Sequence, residues 1–112
     1  MREVVVRYPA EPLAHTELIA RLLQKGDPAP VQKAVAAARA ALPKTADARL
    51  AVGSLLAFRA AGRDRMVTLS PETSGAMAKV ALQFVADALA VEPGNAEALN
   101  EKASIEALAK HP

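Results

Sequence analysis

An all-α fold of stacked antiparallel helical hairpins is what this chain predicts. Three observations lead there. Apolar residues recur at helical rather than alternating spacing, proline and glycine punctuate the chain at regular intervals, and those intervals follow one ruler. Pro9 and Pro43 stand 34 residues apart. Between them Gly26-Asp27 closes one helix, and Val31, Val35 and Ala38 line the next. Laid again from Pro43, the ruler finds Gly53 and Leu56 on a third helix, and a repeat of the ending at Ala81, Val85, Ala88 and Pro93. A helical hairpin cannot cover its own apolar face, so such units are stable only against neighbours.

The 112 residues fit one domain. At this size folding hides about two thirds of the unfolded chain's surface. Alanine supplies 27 residues, against three aromatics, Tyr8, Phe58 and Phe84. Helix propensity is therefore high and core side chains are small, so the helices must approach closely.

Along the chain, Val4, Val5 and Val6 favour a strand by propensity, but the ruler assigns Arg2 to Tyr8 to the end of a preceding helix. The first clear helix runs from Pro12 to Lys25, with Leu18, Ile19, Leu22 and Leu23 at helical spacing and Gly26 suited to the left-handed closing position. Asp27 can cap the second helix, whose first turn holds Pro28 and Pro30 and which reaches about Leu42 before Pro43 stops it. Thr45 or Asp47 can cap a third, carrying Leu50, Val52, Leu55, Leu56 and Phe58 up to Gly62.

Pro43 and Pro93 are 50 apart, sixteen more than the ruler allows, which places an insertion near 63–78. Ser70-Pro71-Glu72 reads as a helix start, so part of the insertion lengthens the fourth helix; Thr73 or Ser74 offers a later start, since Gly75 weakens the first turns. Its apolar face holds Met77, Val80, Ala81, Phe84, Val85, Ala88 and Val91, and Lys79, Gln83 and Asp87 form a polar stripe. After Pro93-Gly94, Asn95 can cap a fifth helix that runs towards Lys110.

These motifs resemble the tetratricopeptide repeat. A unit at 12–45 carries Leu18, Ile19, Val31, Val35, Ala38 and Pro43; a second at 46–94 carries Val52-Gly53, Leu56, Ala81, Val85, Ala88 and Pro93. Ile19 stands where the family has a small residue, which widens that crossing, whereas Gly53 lets the neighbouring helix come close. A third unit begins at Asn95, Ala96 and Leu99 but has Lys102 and Glu106 at apolar positions, so 95–110 reads as a capping helix. The resemblance implies a short right-handed solenoid of about five helices, a single domain over 1–112 that is a segment of a larger protein. More narrowly, the Gly-, Arg- and Leu-containing insertion resembles the repeat region of proteins that assemble c-type cytochromes.

Family members hold a peptide or a partner's helix against the concave face formed by their first helices. Mapped onto this chain, that face comprises Thr16, Ala20, Leu23 and Gln24, then Leu50, Ser54, Ala57 and Phe58, then Asn100 and Ser104. Leu23, Leu50 and Phe58 would anchor an apolar segment, and Gln24, Ser54 and Asn100 would bond its backbone. The scarcity of basic groups there disfavours a terminal carboxylate. For Leu50 and Phe58 ordinary core packing is an equal alternative. A scaffold or assembly factor is the function expected, with a self-associating helical domain, or an accessory repeat segment of a cytochrome c assembly or secretion complex, as the alternatives.

Other classes find little support. Fourteen basic and twelve acidic residues give a net charge of +2, without the clustered basic face of a nucleic-acid binder. Arg59, Arg63 and Arg65 do gather, as an anion site or as a solvated turn with Asp64. Without cysteine there is no disulfide, thiol nucleophile or usual zinc pattern. His15 and His111 lack metal-ligand spacing, and His15 reads as a surface or groove residue. No nucleophile elbow or phosphate loop occurs. No enzyme activity and no cofactor is expected. Nor does an unbroken apolar run reach a membrane span's length, so a soluble protein is expected, cytoplasmic in preference to periplasmic.

Overall fold

The computed structural model describes residues 12–26, 28–61 and 71–110, and these contain five helices. They are α1 (Pro12–Lys25), α2 (Pro28–Ala41), α3 (Ala46–Ala60), α4 (Pro71–Val91) and α5 (Ala96–Lys110). The readings of 2–8 as a helix end, Asp27 and Ser70 as caps, and 62–65 as a helix exit lie outside the described residues.

Each described boundary has a local cause. Gly26 takes φ +80°, the left-handed backbone that closes α1, and its amide donates to the Leu23 carbonyl at 3.1 Å. Beyond α2 the Leu42 amide still donates to the Ala38 carbonyl, and Pro43 prevents further winding. Of the two candidate caps for α3, Thr45 acts: in extended backbone, its Oγ1 accepts from the Ala48 amide at 3.3 Å. Asn95 does the same for α5, accepting from the Ala98 amide at 3.0 Å. α4 begins at Pro71, the earlier of the two expected starts, and extends through 21 residues. Residues 71–78, the later half of the expected insertion, form its first two turns.

Packing follows an antiparallel order. α3 makes its most extensive interface with α4, and α4 next with α5; α1 packs on both α2 and α3 and touches α4, while α5 meets α3 along a narrower seam. The described helices form a compact all-α domain, with a radius of gyration of 13.0 Å and extents of 34 × 33 × 24 Å, as about 100 residues folded into one unit should show.

One core serves the whole arrangement. Ile19 and Ala20 from α1, Ala34 and Ala38 from α2, Val52 and Leu56 from α3, Met77, Ala81, Phe84, Val85 and Ala88 from α4, and Ala98 and Ile105 from α5 are all buried in it. Its centre is the α3–α4 contact. A Cβ built on Gly53 would lie 2.7 Å from Val85 Cγ2 and 3.1 Å from the Ala81 carbonyl oxygen. The absent side chain is therefore what lets the two backbones come together, as the sequence pattern required.

Two expectations need correction. His15 is 1% exposed, not a surface residue, because it shares the inward stripe of α1 with Ile19, one turn on. Within α4, Glu72–Val91 is long and apolar enough, by length and composition, to match a membrane span despite lacking an unbroken apolar run. α4 lies between α3 and α5 and supplies the largest fully buried side chain of the core, Phe84, together with Met77.

Candidate functional site

α3 and α5 meet only along a narrow seam, and a cleft of about 340 Å³ lies between them. Ser54, Ala57, Phe58 and Ala61 line it from the α3 side, and Glu101, Ser104 and Ile105 from α5. The spacing of 54, 57, 58 and 61 places these side chains along one face of α3, at steps of three and four. α5 answers with 101, 104 and 105 in the same rhythm. Ile105 is buried and forms the floor, while Phe58 remains 48% exposed at the wall. Its contrast with Phe84, fully buried in the core, is informative. In a chain so poor in large side chains, one of the two phenylalanines stands half in water.

Electrostatically the cleft is mild. Among the described residues Glu101 is its one charged lining residue, and the serines supply neutral donors and acceptors. On the neighbouring face of α3, Arg59 pairs with Glu17 of α1, which fixes α3 against α1. The member of the arginine trio among the described residues is therefore engaged in an ion pair. No group of His, Asp and Glu that could hold a metal occurs among the described residues.

The residues mapped from the sequence fall into four places. Ser54, Ala57, Phe58 and Ser104 come together in the α3–α5 cleft. Thr16, Ala20 and Leu50 are buried in the interior and present no surface to a ligand. Thr16 tolerates burial because its hydroxyl donates to the Pro12 carbonyl of its own helix at 2.9 Å, and Leu50 faces the core, the packing alternative. Leu23 borders a different cleft, of about 590 Å³, between the α1–α2 corner and the first half of α4, together with Val31, Gln32, Thr73, Ala76 and Val80. Gln24 and Asn100 are exposed on α1 and α5, outside either cleft. Glu101 and Ile105 were missed because the family mapping selected neighbouring positions of α5; the i, i+3, i+4 relation to Ser104 was the available signal.

A second polar constellation was not anticipated. Arg39 of α2 reaches Asp87 of α4 with Nε 2.8 Å from Oδ2 and Nη2 donating to Oδ1 at 2.9 Å. Arg49 of α3, only 6% exposed, donates from Nη2 to the Arg39 carbonyl at 2.8 Å. This cluster ties three helices together across a separation of 48 residues.

Comparison with protein families, with curated proteins and with solved structures finds no match to this chain.

Proposed function

We propose that the chain is a protein-interaction module that takes up an apolar helix or extended segment of a partner in the cleft between α3 and α5. The half-exposed Phe58 beside the buried Ile105 carries this reading. An aromatic ring displayed at a concave wall is the feature that anchors peptide segments, and Ser54 and Ser104 can bond the ligand's polar groups around it. The order in which the helices pair, and the close α3–α4 crossing at Gly53, support a tetratricopeptide-like stack in which α3 and α5 stand as first helices of successive units. Scaffold or assembly work follows from such a cleft, and no catalytic role is proposed.

The test is a photo-crosslinking amino acid in place of Ala61, an exposed lining residue of the same cleft, introduced into the parent chain and into Phe58→Ser and Ser104→Glu variants. Crosslinks to one partner segment, lost in both variants while helicity is retained, are the expected result. Capture that persists unchanged in both variants rules the cleft out.

Self-association is the second reading, favoured by Val91 and Leu99, large apolar side chains each about half exposed near the α4–α5 corner. Sedimentation velocity across a hundredfold concentration range distinguishes the two. A monomer at every concentration removes the second reading, and a dimer that dissociates in Leu99→Glu removes the first as the sole use of this face.

A further inference from the structure

We propose a binding site for a tetrahedral oxyanion, a phosphate or sulfate group, in the open cleft where α2 ends, α3 begins and α4 ends. The cleft measures about 350 Å³ and is lined by Arg39, Lys44, Arg49 and Asp87, with Ala90 and Val91 beside them. It shares no residue with the α3–α5 cleft and does not depend on the function proposed above.

Charge is the first argument. Three cations from three successive parts of the chain converge, opposed by one carboxylate. Some of that positive charge answers the carbonyl ends of α2 and α4, each equivalent to about half a negative charge. An excess of about one unit remains, in a recess where the local dielectric strengthens it.

Incomplete pairing is the second. Asp87 accepts its aligned hydrogen bond at Oδ1, from Arg39 Nη2 at 2.9 Å. Arg49 Nη1 lies 3.6 Å from Asp87 Oδ2, too far for a hydrogen bond. Arg49 Nε is buried with no partner, and Asp87 Oδ2 likewise accepts no aligned bond. A guanidinium more than nine-tenths buried is thus held in place by one carbonyl and by half a share in one carboxylate. Arg49 Nε itself is sealed from solvent, so a ligand oxygen would meet Arg49 only where its guanidinium lines the cleft, and there it would add to the charge pairing that Asp87 leaves incomplete.

Geometry is the third. Lys44 is exposed and has no ion pair among the described residues, and the Arg39 guanidinium is about half exposed, so both present donors from the solvent side. Arg49 forms the inner wall. Donors on several sides suit a tetrahedral group better than a planar carboxylate, and the excess charge suits an anion carrying more than one negative charge.

The experiment follows the thermal unfolding of the intact chain with sodium phosphate, sodium sulfate, sodium acetate and sodium chloride, each at matched ionic strength. Phosphate and sulfate are expected to raise the midpoint saturably, with acetate and chloride well below them. Lys44→Gln, an exposed change that leaves the fold intact, should weaken the apparent affinity about tenfold, and Arg39→Met should do so by tenfold or more, the effect of losing a charge-assisted hydrogen bond. Lys33→Gln, an exposed charge outside the cleft, should leave it unchanged. Equal stabilisation by chloride and phosphate at matched ionic strength overturns the proposal. A phosphate response undiminished in Lys44→Gln and Arg39→Met overturns it equally, since the effect would then belong to the surface at large.

Discussion

Gly53→Ala tests the fold at its narrowest point. The new methyl would sit 2.7 Å from Val85 Cγ2 and 3.1 Å from the Ala81 carbonyl oxygen, where carbon atoms prefer about 3.5–4.0 Å. Relief requires a retreat of about 1 Å. Val85 cannot provide it cheaply, because a β-branched residue in a helix is confined to about one χ1 rotamer and this one is fully buried. The Ala81 oxygen is part of the helix backbone, so α4 itself must shift. Overpacking of this kind costs about 1–3 kcal/mol, and removing a mid-helix glycine returns about 1 kcal/mol of helix propensity. A net loss of about 1 kcal/mol is expected. Val85→Ala alone should cost about 2 kcal/mol, two methyl groups and the void they leave. In that background the clash with Cγ2 is gone, and Gly53→Ala should become neutral or stabilising by up to about 1 kcal/mol. The coupling between the sites is then about 1–2 kcal/mol. Urea denaturation of the four proteins, followed by circular dichroism, measures it. Additive effects, or a Gly53→Ala protein more stable than the parent, would show that α3 and α4 do not meet at this distance.

Three further outcomes follow from burial and pairing. Phe84→Ala should cost about 3–5 kcal/mol and Phe58→Ala under about 1 kcal/mol, a contrast that chemical denaturation reads directly; equal losses would place Phe58 in the core. Asp87→Asn should cost about 2–3 kcal/mol, because it leaves the buried Arg49 without its carboxylate, whereas Arg39→Met, removing the more exposed partner, should cost under about 1 kcal/mol; the midpoints in urea check both, and a neutral Asp87→Asn would refute the role given to Arg49. Asn95→Ala should remove about 1 kcal/mol and Thr45→Ala about 0.5 kcal/mol, the order following their 3.0 Å and 3.3 Å capping bonds; amide exchange in the first turns of α5 and α3 tests the ranking.

What could be read from the sequence was what neighbouring residues decide. Gly26, Thr45 and Asn95 mark helix ends through bonds reaching three residues, and Pro43 by lacking the amide donor a further turn would need, so their roles follow from spacing alone. Gly53 was also legible, because a glycine at a helix-interior position that otherwise favours a side chain needs a packing reason. The site divides differently. Ser54, Phe58 and Ser104 share a cleft because α3 and α5 lie alongside with their polar and aromatic positions in step. Thr16 and Leu50 were mapped to the same face but turned inward, since helix periodicity gives a stripe its width and leaves open which edge of the stripe a neighbour will cover. A threonine that satisfies its hydroxyl on its own helix is as buriable as a valine, so its polarity gave no warning.

The Arg39–Asp87–Arg49 cluster shows where such reading must stop. Asp87 stood at the end of an exposed-looking stripe with Lys79 and Gln83, and nothing local distinguishes it from them. Its partial burial arises because α2 and α3 both meet α4 one turn from its end, a consequence of three helix lengths and two loop geometries acting together. Arg49 is then drawn inward by the free carbonyl at Arg39, which a terminating helix must offer to some donor. Once a guanidinium fills that role, a carboxylate within reach becomes necessary, and α4 can supply it only at Asp87. The helix punctuation that was legible thus dictates the buried charge that was not, and the charge in turn leaves the incomplete pairing from which the oxyanion site is inferred.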